Sequence, residues 1–387
     1  MTIRDALLQF IASKQSEIEE EISSLVEINS FTENSVGGRH VGERLREIFG
    51  VAEGLSCRVE KSEKFADHLI FSSKGDGSAP IALVGHLDTV FPPGVFEGYR
   101  SDGELGRGPG ALDMKGGLVV MAYALRAIAA VVGLEKIAPI RVVIVADEEI
   151  GSPEGAGVIE RAIAGARACL VFESGRKGDA IITRRKGTGS MTATAHGKAA
   201  HAGNNHRDGV NAIWAMARFI DRAQMVTDYQ TGVTVNVGKV SGGLGKNTVP
   251  DSAEARVDLR YTTRAERTSA VAALEAAAAD AAASIAGASI DVSWGVARQP
   301  LERTDASVAL MNLYAKHAAS VGLGAIEAPL IGGGSDASTA GAMGIPSIDG
   351  LGPRGSGFHT KEEVIELSSL VPKTQALALL LVDHLLQ

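Results

Sequence analysis

Three short apolar runs constrain this chain more than any other feature. Ile81-Ala82-Leu83-Val84-Gly85 is continuously apolar rather than alternating, the pattern of a parallel strand buried on both faces. Ile140 to Val145 reads as a second such strand and Ala168 to Phe172 as a third, with a helix predicted over Gly116 to Val131 between the first two. Strand–helix–strand alternation of this kind predicts an α/β fold: a mainly parallel sheet flanked by helices. Ahead of it, the first fifty residues read as two helices. One carries the stripe Leu7, Phe10, Ile11, Ile18, Ile22 and Leu25, the other Val41, Leu45 and Ile48, with a turn-rich loop from Asn29 to Gly38 between them.

After Gly178 the texture changes. Residues 188–196, 233–240 and 253–260 alternate as strands with one wet face, and 209–224 and the alanine-rich 265–286 read as helices. This is a separate α+β module of roughly a hundred residues, inserted into the first domain. From Arg298 the α/β texture returns with a helix over 306–320, a glycine-rich loop at 332–334, the apolar run Ile345-Pro346-Ser347-Ile348 and a C-terminal helix over 367–386.

Composition narrows the function classes. The 387 residues carry 46 acidic against 38 basic side chains, a net charge of -8, with no basic stripe of the kind nucleic-acid binding requires. Two cysteines, Cys57 and Cys169, are too few for a disulfide framework or a thiolate cluster. The N-terminus lacks the apolar run of a signal peptide, and no stretch is expected to reach the roughly 18 apolar residues of a membrane span. A cytoplasmic, two-domain enzyme is the expectation, with neither nucleic acid nor membrane as partner.

The chemistry is expected at the ends of the buried strands. His86 and Asp88 lie just past the end of the first strand, Glu148 and Glu149 past the second, and Glu173 past the third. In open α/β sheets, ligands bind outside the carboxyl ends of the strands, so these residues are aimed at one crevice. Asp113, in a glycine-rich loop before the helix at 116, and His359, after another glycine-rich stretch, point the same way. Converging carboxylates repel one another unless positive charge sits between them, and a divalent cation resolves that cost. Imidazole with carboxylate suits zinc, with manganese or cobalt as substitutes. Taken singly, each acid reads equally well as a helix cap or a solvated turn; the joint arrangement favours a site.

Seven motifs make the sequence recognisable: GHLDTV at 85–90, GPGALDMKGG at 108–117, DEEIGS at 147–152, FES at 172–174, GKAAHAG at 197–203, GGGSDAS at 332–338 and GFHT at 357–360. In order and spacing they resemble the zinc-dependent metallopeptidase family of bacterial glutamate carboxypeptidases, aminoacylases, acetylornithine deacetylases and succinyl-diaminopimelate desuccinylases. The resemblance covers nearly the whole chain. It implies that Asp113 bridges two zinc ions, with His86 and Glu173 completing one site and Glu149 and His359 the other. Glu148 is then the general base, Asp88 accepts the ring N–H of His86, and a cis peptide bond is expected at Asp113–Met114. Residues 182–296 correspond to a ferredoxin-like lid and dimerisation domain, and 1–181 with 297–387 to the catalytic domain. His201 matches a histidine that stabilises the tetrahedral oxyanion, often from the partner subunit of a homodimer. Asn247 and Arg260 match residues that grip the substrate's carboxylate, for which the planar guanidinium is suited.

GGGSDAS is closest to the glutamate carboxypeptidase-like branch. The implied reaction is release of a C-terminal amino acid, with glutamate as the candidate, from a small peptide or N-acyl amino acid. The alternatives are an N-acyl amino acid amidohydrolase on the same metals and a non-catalytic metal or peptide carrier. A serine hydrolase using Ser335 or Ser338 has no nucleophile-elbow sequence behind it. The remaining histidines (His40, His68, His196, His206, His317 and His384) read as structural or surface residues, and Arg184-Arg185-Lys186 as a solvated strand end or an attractor for an acidic substrate.

Overall fold

A computed structural model describes residues 1–386, which fall into two compact units. The first comprises Met1–Arg184, Arg303–Leu330 and the chain from Ser335 onward; the second comprises Arg185–Glu302 and Ile331–Gly334. The second unit therefore starts and ends slightly later than the expected 182–296, and it also takes the glycine-rich stretch assigned by sequence to the catalytic domain.

The first unit is built on a six-stranded sheet. Its strands are β1 (Leu55–Glu60), β2 (His68–Ser73), β3 (Ile81–His86), β4 (Ile140–Val145), β5 (Ala168–Val171) and the short edge strand Ser347–Ile348, in the spatial order β1-β2-β4-β3-β5-edge. β3 runs parallel to β4, with Ile81 opposite Ile140 and His86 opposite Val145, and parallel to β5, with Val84 opposite Val171. These are the three apolar runs of the sequence, and they occupy the middle of the sheet. β1 and β2 extend it antiparallel, and the sequence did not announce them. β1 lies largely exposed at the edge, so LSCRVE carries no apolar run.

Three helices, not two, precede the sheet: α1 (Ile3–Ala12), α2 (Gln15–Val26) and α3 (Ser35–Gly50). Leu7, Ile11, Ile18, Ile22 and Leu25 are all buried and in helical phase across the break, so the stripe hides it. The interruption falls at Ser13-Lys14, where the Ser13 hydroxyl donates to the Phe10 carbonyl and ends α1. Helix α4 (Gly116–Val131) overturns the expectation that no stretch passes the membrane-span test. The run Ala111–Val131 does so by length and composition, yet 78% of its apolar window is buried inside the protein. It is apolar all round because it is a core helix.

The second unit is a four-stranded antiparallel sheet in the order Thr234–Gly242, Ser252–Tyr261, Gly187–His196, Ser289–Arg298. Burial alternates along Gly187–His196 and Ser252–Tyr261. Their inward residues, among them Met191, Ala193, Val257 and Leu259, share one core with helices Ala212–Gln224 and Arg264–Ala283. The alanine-rich stretch is an ordinary helix opened by a capping box, in which Thr263 accepts from the Glu266 N–H and Glu266 from that of Thr263.

Candidate metal centre

Neighbouring parallel strands lie about 4.8 Å apart, so residues just past the ends of β3, β4 and β5 emerge side by side. His86 closes β3; Glu148 and Glu149 lie in a short turn after β4, and Glu173 follows β5. Asp113 enters from the turn Ala111–Lys115 ahead of α4, with a non-helical backbone (φ -123, ψ 89) and a cis peptide bond to Met114. Two glycines let that turn approach the sheet. A Cβ on Gly85 would meet the Met114 methyl at 2.5 Å, and one on Gly117 would lie 2.2 Å from the Phe172 carbonyl oxygen, next to Glu173. His359 arrives on a loop in the left-handed backbone region, at φ 61, which a non-glycine residue adopts rarely.

Asp113 sits between the two histidines. Its Oδ1 lies 3.4 Å from His86 Nε2, and its Oδ2 lies 3.4 Å from His359 Nε2. His86 Nε2 is also 3.8 Å from Glu173 Oε1, and His359 Nε2 is 3.0 Å from Glu149 Oε2. Ligand atoms of His86, Asp113 and Glu149 fall within 4.8 Å of one another, as do those of His86, Glu148 and Glu173. His86 Nε2 and Asp113 Oδ1 are buried with no hydrogen-bond partner among the described residues, and buried polar atoms are rarely left so. Imidazole nitrogens and carboxylate oxygens, two of them orphaned and facing each other, fit divalent cations.

Electrostatics agree with that fit. Burial disfavours protonating His86, yet Asp113, Asp88 and Glu173 outweigh it and hold its pKa well above the usual imidazole value. His359, hydrogen-bonded to Asp113 and Glu149, is raised to about 10. Burial opposes ionisation of Asp113, but His359 and His86 pull its pKa below the usual range. Burial pushes Glu149 up to about 7 against the pull of His359, and burial with the Asp113 charge raises Glu173. The cluster thus concentrates negative potential on the space between the imidazoles.

Asp88 is more occupied than the sequence implied. Its backbone carbonyl lies 3.0 Å from His86 Nδ1 and its Oδ1 3.4 Å from the same nitrogen, which turns Nε2 toward Asp113. The same carboxylate accepts the N–H groups of Glu148 at 3.1 Å and Glu149 at 3.2 Å, and the Thr32 hydroxyl at 2.8 Å. One buried acid therefore sets both the histidine and the Glu148–Glu149 turn. Two further acids escaped the sequence reading. Asp147 caps α5 (Gly155–Ile163), accepting from the Glu154 and Gly155 N–H groups. Glu363 accepts from the backbone of the Asp113 turn, and burial raises it to about 7 against those donors. Its only signal was a glutamate shortly after GFHT.

His201, Asn247 and Arg260 all belong to the second unit. His201 lies in the short strand Ala200–His201, opposite Thr248, so the fold brings it beside Asn247, whose carbonyl accepts the Ala202 N–H. His201 is exposed, and its Nδ1 accepts from Gly203 and Asn204, each at 3.1 Å. With Nδ1 accepting, the neutral ring carries its proton on Nε2. Arg260 donates from Nε to Asp258 at 2.8 Å and from Nη1 to the Gly332 carbonyl at 3.4 Å. In the first unit, Ser335 donates to Asp349 Oδ2 at 2.7 Å rather than to a histidine, so the serine-hydrolase alternative gains no base.

Comparison with known proteins identifies the family. The sequence profile described as Peptidase family M20/M25/M40 matches residues 82–383. Carboxypeptidase G2 of Pseudomonas sp. (strain RS-16) is 27% identical over 390 residues, covering 98% of this chain and 92% of its own. The acetylornithine deacetylase of Myxococcus xanthus is 31% identical over 201 residues, 48% of this chain and 50% of its own. Among solved structures, aminopeptidase PepT from Bacillus cereus ATCC 10987 superposes with a TM-score of 0.81 at 23% identity, over 95% of this chain and 98% of that one. The Bacillus subtilis YXEP protein, described as a dinuclear metal binding peptidase from the M20 family, gives a TM-score of 0.73 at 16% identity, over 97% and 99% of the two chains. With the family profile spanning most of the sequence and the fold shared end to end, this chain belongs to peptidase family M20/M25/M40 and is a metallopeptidase or amidohydrolase.

Proposed function

We propose that the protein is a di-zinc carboxypeptidase that releases a C-terminal amino acid, glutamate being the first candidate, from a small peptide or N-acyl amino acid. The observation that carries this reading is the Asp113 carboxylate, which offers one oxygen to the His86 side and the other to the His359 side at equal distances of 3.4 Å. In this reading His86 and Glu173 would hold one ion and Glu149 and His359 the other, with Asp113 available to both. Zinc, when bound, supplies Lewis-acid polarisation of the scissile carbonyl and of water.

The chain's own residues do the rest. Glu148 removes a proton from the attacking water and returns it to the departing amine. Asp88 fixes that turn through the Glu148 N–H. His201 donates from Nε2 to the tetrahedral oxyanion, while Asn247 and Arg260 bind the substrate's α-carboxylate. The second unit is also proposed as a dimerisation module, supported by exposed Trp214, Val240 and Leu244 on its surface.

Likeness to carboxypeptidase G2 over nearly the whole chain favours the carboxypeptidase over the aminoacylase reading. The test measures metal content and hydrolysis together, before and after chelation and zinc return. The substrates are N-acyl amino acids and dipeptides ending in glutamate, aspartate, leucine or glycine. Two metals per chain, chelator-reversible activity and a preference for C-terminal glutamate are expected. A preference set by the acyl group alone would move the assignment to aminoacylase, and metal without hydrolysis of any substrate would overturn the proposed substrate class.

A further inference from the structure

The buried carboxylate of Glu363 is not among the proposed ligands, yet it touches the loops that carry two of them. Its Oε1 accepts the N–H groups of Leu112 at 2.9 Å and Asp113 at 3.0 Å, and its Oε2 accepts that of Gly110 at 3.2 Å. The residue is 1% exposed, so water cannot replace these acceptors, and three backbone donors would otherwise be stranded. The Glu363 N–H in turn donates to the carbonyl of Thr360, the residue after His359. Just beyond it, Val364–Glu366 pairs with Leu105–Arg107 on the far side of the same turn. Beneath lies Lys115, also fully buried, whose ammonium donates to the Ile28 carbonyl at 3.0 Å.

We propose that Glu363 is a positioning residue that fixes the Asp113 turn against the His359 loop, and so sets the separation of the two metal sites. The inference rests on the di-metal reading above. A helix cap would normally come from the chain just before the turn. Here it comes from the His359 loop instead, so one carboxylate ties the bridging acid to a ligand on the opposite side of the site. Glu363→Gln keeps the size but presents an NH2 group toward one of the backbone donors, so the turn must shift.

The test compares purified wild type, Glu363→Gln, Ile365→Ala as a variant destabilised at a buried neighbour, and Glu362→Gln at an exposed one. Metal content is read after dialysis against a graded zinc chelator, with kcat, KM and thermal midpoint alongside. Glu363→Gln is expected to retain one metal where wild type retains two, with second-site affinity reduced about 10- to 100-fold, the range for groups that orient ligands. Its kcat should fall at least tenfold at unchanged KM and recover in excess zinc. Ile365→Ala should lose thermal midpoint but keep both metals, and Glu362→Gln should match wild type.

Unchanged chelator competition in a folded Glu363→Gln would overturn the inference, as would equal metal loss in Ile365→Ala. Should Glu363→Gln not fold, amide exchange in wild type decides. The Gly110, Leu112 and Asp113 amides should be protected with and without zinc, and free exchange in the zinc-free protein would sink the proposal. Failure of wild type itself to bind two metals would strike the di-metal reading instead.

Discussion

His86 and His359 approach the same Asp113 carboxylate from opposite sides, and the chain supplies them by different means. His86 ends a central strand with parallel neighbours on both sides, 1% exposed, with its ring fixed by Asp88. Its partner Glu173 follows the adjacent strand β5 and is also buried. His359 stands on a loop at φ 61, its side chain 49% exposed, and reaches Glu149 across a turn held by Asp88. One half of the centre is therefore preorganised by the sheet itself, the other by hydrogen bonds between loops. In the proposed di-metal site, the expected consequence is an inner ion held tightly and an outer ion that exchanges, with Asp113 proposed as the group common to both.

That contrast is easiest to break at the shared group. Asp113→Ala removes an oxygen from each half and leaves His86, Glu173 and Glu149 facing one another. Both ions should be lost on dialysis and kcat should drop by roughly 10^4 or more, beyond the span of one acid–base group. A variant that kept the inner ion at full affinity would show that Asp113 does not bridge.

Glu148→Gln should come next, lowering kcat by about 10^2 to 10^4 while both ions stay bound. Ligand atoms of Glu148, His86 and Glu173 lie within 4.8 Å of one another, so metal analysis of this variant is decisive. Loss of the inner ion would make Glu148 a ligand and move the base elsewhere.

Single histidine variants then sharpen the asymmetry. His359→Ala should release one ion and keep the other, whereas His86→Ala should weaken both, because it removes the inner imidazole and the group that faces the shared Asp113 carboxylate at 3.4 Å. Chelator titration of the wild type should accordingly proceed in two steps. A single step, or identical losses in the two variants, would mean that the halves are equivalent despite their different construction.

The same contrast explains what the sequence revealed. Ile81–Gly85, Ile140–Val145 and Ala168–Phe172 could be read as central parallel strands because burial on both faces demands apolar side chains, and residues past such strands fall at the ligand edge by topology alone. The inner half was thus nearly readable from local pattern. No strand end places His359 or Glu363 beside Asp113, a contact spanning some 250 residues of chain; a glycine-rich stretch and then motif resemblance pointed to His359, and Glu363 waited for the structure. β1 was missed because an exposed edge strand need not be apolar, and the break between α1 and α2 because the buried stripe keeps its phase through it. The tasks of Asp88 and Asp147 were hidden for a related reason. Capping a turn is done by one carboxylate whose sequence neighbours look like any other loop.

The smallest effects should come from the two glycines that seat the Asp113 turn on the sheet, and they differ in kind. The neighbour of a Cβ on Gly117 is backbone, the Phe172 carbonyl oxygen at 2.2 Å, which cannot swing away without moving Glu173. Gly117→Ala should therefore cost about 1–3 kcal/mol of stability, as overpacking does, and should also weaken the inner ion. On Gly85 the same Cβ meets the Met114 methyl at 2.5 Å and the Leu118 methyl at 2.8 Å, both ends of flexible side chains. Gly85→Ala should fall at the low end of that range, about 1 kcal/mol, and leave metal affinity near wild type. Thermal unfolding and chelator competition on the pair separate the two outcomes. If Gly117→Ala lost stability but no inner-ion affinity, the rigidity of the inner half would have to come from the strands alone, and the close seating of α4 would serve packing only.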